Sequence, residues 1–461
     1  MSGDPIAGIP TEGEIAVLGL ARSGRSVARL LASHGHKVYA SDVSSAAAVA
    51  RAAAELSAAG IAAEAGGHDL GRVESAAMVV ASPGIPPSAA PLAAARARAV
   101  PVLSEVDVAL RALGRSRVIA VTGTNGKSTA TAMIGGILAG LGADVEVAGN
   151  IGRPLSEVAL LPDAPGWIAL ELSSFQLHDT PSLSPAVGVL TNLSPDHLDR
   201  YPGVREYYAD KALLFHNAGG ESIWVSNADD ADSARMTGSV PGRHARFSLA
   251  QRADAWLDAE AGVLRLGDDE LMPRGDLPLL GTHNVANALA AALAVSLADE
   301  SFAGPAARER IARALRKFKP LSHRLELLGE FGGVQWINDS KATNVGAALV
   351  ALQAMERPTV LLLGGRHKGE PYAPLLDEIR RTVRRVIAYG EAAPLIAGEL
   401  AGATDVRTLA GSFEEVVAEA RRSARPGDAV LLSPACSSYD MFASYEERGD
   451  RFRRLALVES A

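Results

Sequence analysis

The chain has 461 residues, 48% of them hydrophobic and 21% charged, a balance that fits a folded globular protein and excludes a disordered one. Its formal net charge of -8 offers no basic face to nucleic acid or to an anionic membrane. A single cysteine, Cys436, excludes an internal disulfide framework and a cysteine-built zinc site.

One hydrophobic core does not serve a chain of this length, and the length prior is about three domains. The start, Met1 to Pro10, lacks the basic region and apolar run of a signal peptide. The most apolar stretch, Ala288 to Ala298, is far shorter than the roughly 20 residues that cross a bilayer. A cytoplasmic protein that binds no membrane is expected.

In chain order, Ile15 to Leu20 predicts a strand ending in a glycine turn. Ser26 to His34 predicts a helix with Val27, Leu30 and Leu31 on one face, and Lys37 to Asp42 a second strand with an acidic end. This is a Rossmann-like arrangement, but the turn Gly19-Leu-Ala-Arg-Ser-Gly24 carries Ala21 where the middle glycine of the dinucleotide fingerprint belongs. A nucleotide-related site on the same unit is therefore favoured over an NAD site. Met78 to Pro87 reads as an apolar strand entering a Ser-Pro-Gly turn. A helix over 89–98 and a short strand over 101–104 complete a first α/β unit, residues 1–107.

Val118-Ile-Ala-Val-Thr-Gly-Thr-Asn-Gly-Lys-Ser-Thr129 opens the second unit. A buried strand, a tight loop with Gly123 and Gly126, and a helix beginning at Lys127, Ser128 and Thr129 make a phosphate-binding loop, although Val121 replaces the first glycine of the general pattern. Backbone N–H groups of Thr124 and Asn125 and the helix N-terminus would cradle polyphosphate, with Lys127 neutralising charge and Ser128 ligating Mg²⁺. Trp167 to Ser174 is a strand delivering Glu171, and Ala186 to Asn192 a strand running into Leu193 to Pro202, which holds His197. Open α/β sheets place ligands at the carboxyl ends of their strands, so Glu171 and His197 reach the same edge as the loop. As residues, His197 reads either as a metal ligand or as a capping or surface histidine, and Lys211, on a helix over 204–216, as a solvated lysine. Gly281 to Asn287 begins an alanine-rich helix, and the unit spans 108–320.

The third unit, 321–461, has strands at Val334–Asp339, Thr359–Gly365, Arg385–Gly390 and Ala429–Ser433, alternating with helical stretches. Arg324, Asp339 and Lys341 read either as a cation–acid set closing over ATP or as a structural salt bridge. Lys368 reads as a carboxylate binder or a solvated loop lysine, and Cys436 as a small buried residue.

Gly123 to Ser128, Glu171-Leu-Ser-Ser, Asp196 to Pro202, His283 to Asn287 and His323-Arg324 together resemble the Mur ligase superfamily, the ATP-dependent amide-forming enzymes of peptidoglycan precursor synthesis. Asn338-Asp-Ser-Lys-Ala-Thr-Asn344 and Ser433-Pro-Ala-Cys-Ser-Ser-Tyr-Asp-Met-Phe442 resemble the branch that adds D-glutamate, and speak against its sister ligases and the folylpolyglutamate-type enzymes. The intact Lys127, Glu171, His197 and Lys211 speak against a non-catalytic nucleotide-binding regulator.

The resemblance implies an α/β fold of three domains: a Rossmann-like UDP-binding domain, a phosphate-loop ATPase domain with a mostly parallel sheet, and a Rossmann-like C-terminal domain. It implies ATP and two Mg²⁺ ions, with Ser128, Glu171, His197 and a CO₂-derived carbamate on Lys211 in the metal environment. Asn284 and Asn287 match adenine-side positions, and Arg324, Asp339 and Lys341 nucleotide-closing ones. Arg22, Ser23, Asp42, Val43, Ser82, Gly84 and Asn150 fall at or near UDP-substrate positions. Thr343, Lys368, Ser438, Tyr439 and Tyr445 fall at D-glutamate positions, where Tyr439 and Tyr445 depart from some relatives. The implied activity is joining D-glutamate to UDP-N-acetylmuramoyl-L-alanine through an acyl phosphate, by a monomer.

Overall fold

The computed structural model describes residues 4–86, 88–197 and 200–457. It is a mixed α/β protein with three mostly parallel sheets, held in two compact units: residues 1–276 with 286–317, and residues 277–285 with 318–461.

The first sheet has β1 (Glu14–Leu18), β2 (Lys37–Asp42), β3 (Ala62–Ala65), β4 (Met78–Ala81) and β5 (Val102–Ser104), all parallel, in the order β3-β2-β1-β4-β5. Strand side chains alternate between faces. Ile15 and Val17 accordingly enter one hydrophobic cluster, while Ala16 and Leu18 enter another with Tyr39, Val79 and Leu92. A sheet covered on both faces needs such apolar runs. The helix after β1 starts at Arg22, four residues before the sequence-based expectation, because the turn over Gly19 to Ala21 is tighter than the apolar periodicity shows.

The second sheet has nine strands: β6 (Arg117–Thr122), β7 (Val145–Gly149), β8 (Trp167–Glu171), β9 (Val187–Leu190), β10 (Ile223–Asn227), β11 (Arg243–Ser248), β12 (Ala255–Asp258), β13 (Val263–Leu266) and β14 (Asp269–Pro273). Their order is β14-β13-β12-β11-β10-β9-β6-β8-β7. β7 through β12 pair in parallel, and β12, β13 and β14 form an antiparallel edge. β6 lies beside β9, and from their carboxyl ends the chain runs to β7 on one side and to β10 on the other, in opposite directions across the sheet. That is the switch point where the loops at the carboxyl ends part to form a crevice.

One hydrophobic cluster runs from Ile15 and Val17 of the first sheet to Val118, Ile168 and Trp224 of the second. Polar contacts add register to it. Ser104 caps the helix Glu105–Leu113 through the Asp107 N–H at 3.0 Å, a contact worth about 1 kcal/mol. Asp107 in turn accepts from the Ser182 N–H (2.8 Å), the Ser182 hydroxyl (2.6 Å) and Arg111 Nε (2.7 Å). Glu105 Oε1 accepts from the Ser156 N–H at 2.6 Å, and the Ser26 and Ser156 hydroxyls meet at 2.6 Å.

The third sheet has β15 (Glu326–Phe331), β16 (Val334–Asn338), β17 (Thr359–Gly364), β18 (Val383–Tyr389), β19 (Asp405–Leu409) and β20 (Ala429–Leu432), ordered β15-β16-β20-β17-β18-β19. β15 and β16 form an antiparallel hairpin, and the other pairs are parallel. Leu361, Leu363 and Leu431 face one cluster, and Val360, Leu362 and Leu432 the other.

Glu105 supplies a pH test of the first unit. It is 1% exposed, its Oε2 has no hydrogen-bond partner, and burial pushes its pKa up to about 7 from an ordinary 4.5. The folded state therefore holds a proton that the unfolded chain releases, so stability is full below the unfolded pKa and falls as pH rises through the folded one. The urea midpoint is expected to drop between about pH 4.5 and pH 7, and Glu105→Gln to flatten that drop. An unaltered slope in the variant would refute the assignment.

Candidate active site

Gly123 to Thr129 connect β6 to the helix Lys127–Gly140. The loop is braced by the segment leaving β9. Thr124 N donates to Asn192 O at 2.9 Å and Asn125 N to Asn192 Oδ1 at 2.9 Å, while Asn192 Nδ2 (3.0 Å) and Thr191 Oγ1 (2.7 Å) both donate to Asn125 O. The Thr124 hydroxyl donates to Ser194 O and accepts from Ser194 N, each at 3.0 Å. Two glycines allow this path. Gly123 has φ +141° and a Cβ there would run into Thr191 Oγ1; Gly126 has φ +81° and a Cβ would run into Asn287 Oδ1. Val121 is fully buried in β6, which explains why a valine stands where the general pattern has its first glycine: the residue belongs to the strand, not to the turn.

Two other expected residues, Lys211 and Glu171, gather behind this loop. Lys211, on the helix Val204–Ala212, is 1% exposed, donates from Nζ to Gly123 O at 2.7 Å and stands 4.7 Å over the Tyr207 ring. Burial, and then the ammonium of Lys127, drive its pKa well below the usual lysine value; Asp196, Glu171 and Asp210 pull the other way. The solvated-lysine alternative is thereby overturned. Lys127 Nζ donates to Thr124 O at 2.8 Å. Glu171, at the end of β8, is 1% exposed. Its Oε1 accepts from Asn150 Nδ2 at 2.8 Å, and its Oε2 is buried with no hydrogen-bond partner. The Ser128 hydroxyl is buried in the first turn of the helix.

A buried, unpartnered carboxylate oxygen at the end of β8, next to the strand that leads into the Ser128 turn, fits a divalent cation. Among the described residues no group of three or more histidine, cysteine or carboxylate side chains converges to hold one. Any such ion would take most of its oxygens from phosphate and water, the habit of Mg²⁺. His197 is exposed, with φ +55°, Nε2 at 3.8 Å from Asp196 Oδ2 and its ring edge-on to Phe175. Leu198 and Asp199 of the same stretch lie outside the described residues. Asn287 sits against Gly126, and Asn284 Nδ2 donates to Leu280 O at 2.8 Å.

At the carboxyl ends of the first sheet, Asp42 accepts from Leu20 N and Ser44 N, each at 2.8 Å. Its carboxylate thus braces the glycine turn. Ser82 Oγ reaches Gly19 O at 3.4 Å, Ser23 O accepts from Ser26 Oγ at 2.9 Å, Val43 is 72% exposed and Gly84 is exposed. Arg22 donates to both oxygens of Glu157 (2.8 and 2.7 Å) and to Gly152 O (3.1 Å). This is a partly exposed pair worth at most about 1 kcal/mol.

In the second unit, Asp339 is buried and accepts from Leu325 N (3.1 Å) and Ser433 Oγ (2.9 Å). Burial pushes its pKa up to about 7 against the opposing charges of Arg324 and Arg448. Lys341 N donates to His323 O at 3.1 Å, and its ammonium stands 5.1 Å over the Tyr445 ring. Lys368 Nζ donates to Thr343 Oγ1 at 3.3 Å, Ser438 is buried, and Tyr439 is 66% exposed. Cys436 is fully buried, and burial raises its thiol pKa to about 11, so it is inert. Three residues that sequence reasoning missed hold these loops. Asn192 and Tyr207 stood in stretches already read as a strand end and a helix, with no signal of the loop they brace. Arg448, discussed below, gave none at all.

The chain matches the Mur ligase MurD-like N-terminal domain over residues 13–104, the Mur ligase middle domain over 121–295 and the Mur ligase glutamate ligase domain over 323–436. It is 41% identical to the UDP-N-acetylmuramoylalanine–D-glutamate ligase of Anaeromyxobacter dehalogenans, over 97% of this chain and 98% of that one. It is 40% identical to the enzyme of the same name from Pelotomaculum thermopropionicum, with the same coverage. The crystal structure of the UDP-N-acetylmuramate–alanine ligase of Thermotoga maritima shares the fold, with a TM-score of 0.62 at 19% identity over 97% of this chain and 100% of that chain.

Gly126→Ala puts a side chain where φ is positive and Asn287 is in the way. It is expected to weaken triphosphate binding, measured by calorimetry, by at least about tenfold with unchanged circular dichroism. Unchanged affinity would show that the loop is not the phosphate site.

Proposed function

Because the chain belongs to the Mur ligase family, we propose that it is an ATP-dependent ligase joining D-glutamate to UDP-N-acetylmuramoyl-L-alanine in cytoplasmic peptidoglycan precursor synthesis. The observation that carries this beyond family membership is the braced phosphate loop with a buried lysine and an unpartnered carboxylate oxygen behind it. No helix among the described residues is long and apolar enough to cross a membrane. We take the domains as 1–107, 108–320 and 321–461 and the working form as a monomer.

The chemistry follows from the substrates. A carboxylate is a poor electrophile because oxide is a poor leaving group. Transfer of the γ-phosphoryl group to the L-alanine carboxylate gives an acyl phosphate; the amine of D-glutamate attacks its carbonyl carbon, and phosphate leaves from the tetrahedral intermediate as the amide forms. The first step brings two anions together, so charge neutralisation dominates its barrier. Lys127 and the helix N-terminus at Gly126 would bind and orient the phosphates, the N–H groups of Thr124 and Asn125 being spent on Asn192, with Thr129 in the same turn and Asn284 and Asn287 towards the base. Arg324, Asp339 and Lys341 would be further nucleotide-binding residues.

Ser128, Glu171, His197 and a carbamate on Lys211 would hold Mg²⁺, as two ions, whose chemistry is Lewis-acid stabilisation of phosphoryl oxygens. Burial drives the Lys211 pKa down and so favours the neutral, nucleophilic amine that carbamylation by CO₂ requires. Arg22, Ser23, Asp42, Val43, Ser82, Gly84 and Asn150 would bind the UDP-substrate. Thr343, Lys368, Ser438, Tyr439 and Tyr445 would take the D-glutamate carboxylates.

A phosphate-release assay with the UDP-substrate, ATP, Mg²⁺ and a panel of D- and L-amino acids is expected to show stimulation by D-glutamate. A rate equal to the control without amino acid would defeat the assignment. Lys211→Ala is expected to lose at least about a hundredfold in kcat and to recover part of it with short carboxylic acids, which restore an anion; full activity in the variant would exclude the carbamate.

A further inference from the structure

The second unit contains a fully buried cation to which the mechanism assigns no task. Arg448, on the helix Tyr445–Leu457, is 0% exposed. Among the described residues its guanidinium hydrogen bonds go to neutral oxygens: Nε to Ser340 Oγ (3.0 Å), Nη2 to Ser340 O (2.8 Å), and Nη1 and Nη2 to Cys436 O (3.2 Å each). A guanidinium taken out of water needs its donors satisfied, and its planar fork fixes the spacing of the groups that satisfy them.

Those groups lie on the loops that carry the amino-acid residues. Ser340 follows β16, between Asp339 and Lys341 and three positions before Thr343; Cys436 follows β20, two positions before Ser438. The loop after β17, which carries Lys368, is tied to the same place. Arg366 N donates to Ser437 O at 2.9 Å and Ser437 N to Arg366 O at 3.1 Å. Gly365 has φ +129°, and a Cβ there would stand 3.2 Å from Arg448 Nη1 and run into Ser437 O. Ser340 Oγ also donates to Tyr445 O at 2.8 Å, which closes the circuit at the start of the arginine's own helix.

We infer that Arg448 is the positioning residue of the amino-acid half of the site: one buried guanidinium sets the spacing of the loops after β16, β17 and β20, and so of Thr343, Lys368 and Ser438. The inference rests on the function proposed above. A lysine cannot replace the arginine, because one ammonium lacks the planar fork that reaches both carbonyls. Ser340→Ala removes one acceptor of Arg448 and the donor to Tyr445 O, leaving the guanidinium its bonds to the Ser340 and Cys436 carbonyls.

Steady-state kinetics of the full chain are expected to give a KM for D-glutamate raised about tenfold in Arg448→Lys and about threefold in Ser340→Ala, with the KM for the UDP-substrate within about twofold of the parent. A merely structural role would lower kcat or thermal stability with both KM values unchanged, which would overturn the inference. Hydrogen exchange supplies a readout independent of the reaction. Arg448→Lys is expected to lose amide protection over 340–344 and 436–442 but not in β16 or β20, and unchanged protection would overturn the positioning role whatever the substrate. A parent enzyme without D-glutamate-dependent turnover, combined with lost loop protection in the variant, would refute the proposed substrate while leaving the loop-positioning role supported.

Discussion

Lys211 stands behind the phosphate loop with its amine on the Gly123 carbonyl, out of water and within reach of the charge of Lys127. Two ammonium groups so placed cannot both remain charged in a poorly solvated setting without compensation. The compensation is arranged around them: Glu171 at the end of β8, with Asp196 and Asp210 nearby. The conformation of the loop and the state of the lysine are therefore one problem. Gly123 turns at positive φ and offers its carbonyl backwards to Lys211, while the Thr191–Ser194 segment holds the loop through the N–H groups of Thr124 and Asn125.

The second unit solves a related problem with the opposite charge. Asp339 is a buried carboxylate held near neutrality by desolvation, with two N–H or O–H donors on it and Arg324 and Arg448 opposing the shift. Arg448 is buried with the neutral oxygens of Ser340 and Cys436 accepting from its guanidinium. Both units thus place ionisable groups where water cannot reach, at the carboxyl ends of parallel strands, where connecting loops converge and the backbone supplies the hydrogen bonds. Such groups are poor stabilisers; what they supply is fixed geometry and a field aimed at the ligand.

Legibility in the sequence followed burial. Strands β6, β8 and β9 were readable because each is an unbroken apolar run bounded by turn residues. The antiparallel edge β12 to β14 was not, since its sequences, such as Asp269 to Pro273, mix charges and a proline with few apolar residues. The phosphate loop was readable from Gly123, Gly126, Lys127 and Ser128, because only glycine tolerates those turns and the chemistry needs a cation and a hydroxyl. Lys211 was misjudged by periodicity, since a lysine on a helix is solvated in most folds, and only the motif resemblance reversed that reading. Asp42 stood at the expected strand end, but its carboxylate is spent on Leu20 and Ser44, which spacing alone could not show.

The order of types along the chain determined three α/β units, a phosphate loop in the second and family motifs across all three, because those depend on local sterics and on periodic burial. Tertiary structure alone decided which polar groups lost water. The burial of Lys211, the unpartnered oxygen of Glu171, the raised pKa values of Glu105 and Asp339 and the buried fork of Arg448 come from residues distant in sequence closing around a charge. Desolvation depends on all the atoms that surround a group, and no window of sequence contains them.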